Sequence, residues 1–319
     1  MALPATGQMQ TLSFKEESTY GTSAGGAFAL VEHNSNSLAL AINFIEEATL
    51  RGTREVNELI AGTHAVSGEV SANLSQQASH ITLIQAALHD HSAANTNQFN
   101  IDGTRKSYSF AREFNDLNAG DSATVADDCQ LFLGCEINTC AISVPADGFV
   151  TVSYGIVGST MTSHDTSQDG SATAVTAKVP YRGQDAKIVI ENTGGSSSTG
   201  SVIVTQFDLN IENGIEQAYV VGDNKTVQGA IGKARVTGSF SAHFTSGEHV
   251  ARFINSTDTR ILLQLGSGAT GMSFELPRCR FTNTSTEAGG EGMIEVAVEF
   301  TALQSTDGAT SCITFDSAL

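Results

Sequence analysis

Few residues of this 319-residue chain are placed to do chemistry. His89, Asp90 and His91 form the run HDH, the best candidate for a metal site. Alternate residues of a strand face one way, so both imidazoles would meet one ion. The run closes a helical pattern, however, where histidine is favoured by the C-terminal dipole. No further ligand is anchored nearby by pattern. Asp127 and Asp128 form a carboxylate pair of the type that serves acid–base work, but they follow the polar stretch NAGDSATVA and read as solvated surface. The five cysteines, Cys129, Cys135, Cys140, Cys279 and Cys312, show neither C-x-x-C nor zinc spacing. They read as free, mostly buried thiols in a reducing cytoplasm. His164–Asp165 falls in a stretch rich in small polar residues. A G-x-S-x-G elbow, a Walker loop and a G-x-G-x-x-G fingerprint are all absent. Nothing here reads as an active site, so the expectation is no enzyme, no catalytic residue, no metal and no cofactor.

Composition narrows the remaining choices. Apolar residues make up 40%, enough for a packed core, while charged residues are scarce at 16%. The polar surface must then be mostly Ser, Thr, Asn and Gly. Acidic residues outnumber basic ones 34 to 16, for a net charge of −18. That balance argues against a standing grip on nucleic acid or on anionic membranes, because both need clustered Lys and Arg. No segment approaches the ~20 apolar residues that span a bilayer. The opening MALPATGQMQ lacks the basic end and apolar run of a secretory signal. Its LPATG is like a sortase signal without the required apolar tail and reads as coincidence.

The elements that would position any site are mainly strands of period two. Val66, Val70, Ala72 and Leu74 alternate with Ser67, Glu69, Ser71 and Asn73. Val236, Phe240, Ala242 and Phe244 alternate with Thr237, Ser239, Ser241 and His243. Each of these strands carries a glycine at the same place, Gly68 and Gly238, the mark of a bulge or a close backbone approach. Further strands run through SLALAINF, FVTVSYGIV, VIVTQFDLNI (in the phase Ile203, Phe207, Leu209, Ile211) and MIEVAVEF, with Glu295 and Glu299 on the wet face of the last. Helical period is rare. Ile81, Ile84 and Leu88 form one stripe, and Val250, Phe253 and Ile254 another, with Thr245 and Glu248 as a capping box.

The chain repeats itself. Residues 45–76 and 215–246 align without a gap at a spacing of 170, with nine identities, Gly68 and Gly238 among them. KSYSFAREF is matched to TGMSFELPR, and DGFVTVSYGIVG to EGMIEVAVEFTA. Upstream of residue 45 the strand phases disagree by one residue. The expected organisation is two tandem β domains, 1–165 and 181–319, joined by a linker at 166–180, with the boundary expected in the unpatterned stretch 159–178.

In order and spacing these pieces resemble the major tail tube proteins of long-tailed (siphophage-type) bacteriophages, in their two-domain form. The residues that carry the resemblance are TLSFKEESTYGT, TLRGTREV before VSGEVSANL, FLGCEINTCAISVPADGFVTVSYGIVG, VTQFDLNIENGIEQAYVVG, VTGSFSAHF, and FELPRCRF with MIEVAVEFTAL. The resemblance implies two tandem β-sandwich domains that roll toward a barrel, each with one short flanking helix. It implies a structural virion protein that polymerises into stacked rings, the hollow conduit for DNA ejection through a non-contractile tail. Three copies would give a near-sixfold ring. The implied partners are other copies of the chain, a tape-measure protein and transient genomic DNA in the lumen, and tail terminator and tip proteins, with no membrane. The implied location is the virion tail, after assembly in the bacterial host cytoplasm. Glu69, His243, Glu295 and Glu299 are the expected lumen-facing residues, and segments 17–36, 90–128 and 159–178 the expected contacts between rings. The rival reading is a β-sandwich adhesin or receptor-binding module, against which stand the absence of Trp and a Tyr count of only five. A hydrolase built on His89 and His91 ranks third.

Overall fold

The structure is a computed structural model that describes residues 6–49, 51–52, 54–91, 97–117, 129–164, 166–176, 178–192, 203–287, 292–305 and 311–318. Asp127 and Asp128 lie outside the described residues, as do Asp165 and parts of LPATG and of segment 90–128. The first half holds strands β1 (Gln10–Glu16), β2 (Ala29–Leu30), β3 (Ser35–Asn36), β4 (Ala39–Glu46) and β5 (Leu59–Asn73), then helix α1 (Ala78–Leu88). There follow β6 (Gln98–Asn100), β7 (Tyr108–Phe114), β8 (Cys129–Pro145), β9 (Thr151–Gly158) and β10 (Thr160–His164). The second half holds β11 (Ala186–Asn192), β12 (Val204–Glu212), the short pair β13 (Ala218–Tyr219) and β14 (Thr226–Val227), and β15 (Arg235–His243). It closes with helix α2 (Glu248–Ile254), β16 (Thr259–Leu265), β17 (Met272–Glu287), β18 (Glu295–Ala302) and β19 (Thr314–Asp316). The fold is mainly β, and no barrel closes among the described residues.

Both halves follow one pairing scheme. In the first, β4, β5, β9 and β8 lie side by side, all antiparallel, and β7 links β8 to β1. In the second, β12, β15, β18 and β17 do the same, and β16 links β17 to β11. The register repeats as well. Gly68 faces Ile156 across β5 and β9, as Gly238 faces Phe300 across β15 and β18. Val66 and Val236 are 170 residues apart, yet their partners Leu40 and Ile211 are 171 apart. That is the one-residue phase difference visible in the sequence. The counterpart of KSYSFAREF is β16, not the TGMSFELPR of β17. Both β7 and β16 slip register after their first paired residue, between Tyr108 and Phe110 and between Thr259 and Ile261.

The halves are joined into one sheet by β8 and β12, which pair from Thr139↔Glu212 to Pro145↔Gln206. Strands β8 and β17 each serve two layers. Residues 129–135 of β8 pair with β7 and β10, and residues 136–145 with β9 and β12. The joint is apolar on its inner side, where Cys140, Ile142 and Val144 meet Ile211, Leu209 and Phe207, each at most 4% exposed. Three further contacts tie the halves. Strand β6 adds to the edge of β19, Phe99 facing Phe315. Segment 213–229 crosses the first half, where Gln217 Nε2 donates to the carbonyls of Val66 and Gly158 at 3.0 and 3.2 Å. Arg105 donates to Glu136 and to the Gly229 carbonyl.

Several expectations from pattern change on contact with this architecture. Residues 160–164, read as part of the unpatterned stretch 159–178, form β10, an edge strand whose partner β8 supplies the order its polar sequence lacks. Residues 167–173 are held to the first half by Ser167 Oγ on Glu113 and by backbone bonds from Phe28 and Leu30 to Asp169 and Thr173. Helix α2 buries His249 and Arg252 rather than the expected stripe, leaving Ile254 72% exposed, and Gly247 caps it with no side-chain bond from Thr245. A bulge between Val204 and Gln206 resets the phase of β12 and leaves Ile203 outside.

Both repeat glycines sit where a side chain would collide with a neighbouring segment. A Cβ on Gly68 would lie 2.6 Å from Leu38 Cα, and one on Gly238 2.4 Å from Phe300 Cζ. Overpacking of this sort costs about 1–3 kcal/mol. Gly68→Ala is therefore expected to lower the urea midpoint of unfolding clearly. Gly103→Ala, where nothing stands within 4 Å of the added Cβ, serves as the control and shifts it little.

Candidate functional site

The sheet that runs β4-β5-β9-β8-β12-β15-β18-β17 has two unlike faces. Residues directly opposite one another across antiparallel strands point to the same side, so the register sorts the side chains. One face is core: Val66, Val152, Ile142, Leu209, Phe240 and Val298 are all buried. The other is polar. One row across it reads Asn73, Thr151, Ser143, Asp208, Ser239, Glu299 and Asn283. The next row reads Ser71, Ser153, Ala141, Asn210, Thr237 and Thr301. This face is concave. It lines a trough of about 750 Å³ whose walls reach from Asn34 beside β3 to Thr282 in β17.

All four residues expected on a common surface lie on this face: Glu69 on β5, His243 on β15, and Glu295 and Glu299 on β18. Glu69 and Glu299 both line the trough. His243 and Glu295 stand opposite each other with Nδ1 and Oε1 3.8 Å apart, an ion pair only when the imidazole is protonated. Two acids of the face, Asp208 and Glu212 on β12, were not singled out from the sequence. Their signal was present, since they alternate with Phe207, Leu209 and Ile211. Small hydroxyls hold these acids in place. Ser153 Oγ donates to Glu69, and Ser143 Oγ to Asp208 at 2.5 Å, while Gln206 donates to the second Asp208 oxygen at 2.8 Å. The basic side chains in these rows and the one after them are Arg235, opposite Glu212, and Arg280, opposite Thr301 and bonded to Asp258 at 2.8 Å. No aromatic ring lies in them.

The other chemical candidates are scattered. His89 caps the C-terminus of α1 in the left-handed conformation, at φ 52°, and Asp90 accepts a bond from the Asn100 amide at 2.8 Å. Burial, with the Arg105 guanidinium nearby, pulls the His89 pKa down to about 4. Burial does the same to His80, which stacks on Tyr154. All five cysteines are free. Burial pushes the Cys129 and Cys140 thiols up to about 12 and raises Cys135 as well, so they are protonated thiols rather than thiolates. Among the described residues no group of three or more His, Cys, Asp or Glu side chains stands close enough to hold an ion, and no helix is long and apolar enough to cross a membrane.

The family whose description reads phage tail tube protein matches residues 7–302. The chain belongs to that family, and it is a structural component of the phage tail tube. No curated protein matches it. Among solved structures it is similar to the SPP1 tail tube, determined by solid-state NMR and cryo-EM, at 13% identity. That likeness covers 38% of this chain and 75% of the other, with a TM-score of 0.33. Membership of a tail tube family stands against the adhesin reading.

The buried histidines make stability depend on pH. Neutral in the fold, they take up protons only as the chain opens, because the unfolded imidazole has its ordinary pKa of 6.5. Stability is therefore whole above pH 6.5 and is lost as the pH falls from 6.5 toward 4. Urea midpoints measured between pH 7.5 and 5 should fall with acidification. His89→Asn, which tolerates the left-handed conformation but does not titrate, should show a shallower fall. An unchanged slope in that variant would remove His89 from the account.

Proposed function

We propose that three copies of this chain close into a ring of near-sixfold symmetry, and that the rings stack into the tail tube. In this reading the chain is two tandem domains, 1–165 and 181–319 with 166–180 between them, and each domain is one sixth of the ring. The observation that carries it is the β8–β12 joint. Two similar four-stranded units, placed end to end in one chain, are already paired edge to edge. What the joint does once within the chain, the free edges of β4 and β17 would do between chains. A heterologous contact of this kind either closes into a ring or grows without limit, and closure removes the exposed sheet edges.

The polar face is then the wall of the lumen, with Glu69, Asp208, Glu212, His243, Glu295 and Glu299 turned toward the channel. The physical reason is a rate. Every cation that gripped phosphate would add a counterion-release attraction, repeated in each ring. An acidic wall of Ser, Thr and carboxylates gives passing DNA nothing to hold. The same lumen would house a tape-measure protein before DNA enters. Terminator and tip proteins would cover the two tube ends, and assembly would take place in the host cytoplasm.

Negative-stain microscopy of concentrated protein should show hollow tubes, and their subunits should number three chains per ring. A different number of chains per ring would overturn the stoichiometry, and a protein that forms no tubes would overturn the reading. Replacing Glu69 and Glu299 together with lysine should leave tubes intact and slow DNA ejection from virions that carry them. Unaltered ejection kinetics would show that these side chains do not face the path.

A further inference from the structure

The joint within the chain also specifies the joint between chains. Strands β8 and β17 pair with β9 and β18 in the same way, down to one irregularity. Ile137 faces Ile156, and the register then slips past Asn138 to Thr139↔Gly155. Phe281 faces Phe300, and it slips past Thr282 to Asn283↔Glu299. Asn283 thus stands where Thr139 does, followed by Thr284 for Cys140, Ser285 for Ala141 and Thr286 for Ile142. On the other side of the joint, Leu40 stands where Ile211 does, each opposite its repeat valine. Among the described residues the far edges of 283–287 and of β4 pair with nothing.

We propose that the chain closes on a second copy of itself by pairing Asn283↔Ala41, Thr284↔Leu40, Ser285↔Ala39 and Thr286↔Leu38, and that Thr284 and Thr286 make this joint weaker than the internal one. The inference rests on the ring reading above and adds to it a register and a graded strength. In the internal joint Cys140 and Ile142 are buried, at 0% and 1% exposure, against Ile211 and Leu209. Their counterparts Thr284 and Thr286 are polar, half-buried and exposed respectively. On the neighbour's side the inward positions are apolar, Leu38 already buried in its own chain and Leu40 half-buried, so the asymmetry lies on the β17 side. A sheet edge that is polar on its inward face resists pairing with stray strands. Closure is then the concentration-dependent step, while the internal joint forms within one chain regardless of concentration.

Two measurements test this. In assembled tubes, the pair Ala39→Cys with Ser285→Cys should oxidise to chain-to-chain disulfides on a non-reducing gel. The pair Ala39→Cys with Thr284→Cys, one residue out of register and on the opposite face, should link at least tenfold less. Equal linking, or more from the shifted pair, overturns the register. Failure of the unaltered chain to form tubes would instead remove the ring reading itself. The strength is read from the critical concentration for tube formation by sedimentation. Thr286→Ile, which installs the side chain of the internal joint, should lower it by about tenfold, the effect of burying one to two methylene equivalents. If Thr286→Ile alters the unfolding midpoint of the single chain, Thr286→Val, which keeps the shape and exchanges only the hydroxyl for a methyl, takes its place and should move the critical concentration the same way. An unchanged or higher critical concentration in a folded variant overturns the claim.

Discussion

The arrangement depends on one antiparallel pairing, β8 against β12. Without it each half would end in an open sheet edge, lined on its inner side by Cys140, Ile142 and Val144 in one half and by Phe207, Leu209 and Ile211 in the other. Burying that apolar edge is what makes two similar halves into one curved sheet. The other ties, β6 on β19 and segment 213–229 on the first half, hold the angle that the pairing sets. Because β8 and β17 each run through two layers, the curved sheet is braced from behind over most of its length.

A strand with one wet face announces itself by alternation, and for that reason β5, β9, β15 and β18 are legible in the sequence, with Glu69, His243, Glu295 and Glu299 on their polar side. Strand β8 hides its role, because residues 131–137 are buried on both faces and the alternation disappears. Strand β16 reads as the short apolar run ILLQL, and a shared Ser-Phe pair drew the repeat to the wrong strand. Strand β10, TMTSH, is polar at an edge and has no pattern to show. No local signal states which strand lies beside which, since pairing between β8 and β12 is decided by the fit of two remote edges. The face could be foreseen as a property of single strands; the trough could not, because it needs all of them in order.

The scarcity of charge acquires a meaning on that face. With 16% charged residues in the whole chain, several acids on one concave surface are a local concentration. Their mutual repulsion is met by hydroxyls and an amide, as Ser153 serves Glu69 and Ser143 with Gln206 serves Asp208, and little by cations. Carboxylates satisfied in this way have hydrogen-bond partners without recruiting lysine or arginine. The surface stays predominantly acidic, with Arg235 and Arg280 as its basic side chains.

The same joint sets a hazard in time. A ribosome delivers β8 well before β12, and the 58 residues between Pro145 and Val204 must be made in the interval. At ordinary synthesis speeds that delay is on the order of ten seconds. Throughout it the nascent first half carries an unfilled apolar edge, and β6 waits for β19, which comes last of all. On a crowded message the matching strand of a neighbouring chain is a competitor for both places. The correct partner prevails because it is tethered, and so is present at a local concentration that no neighbour can match.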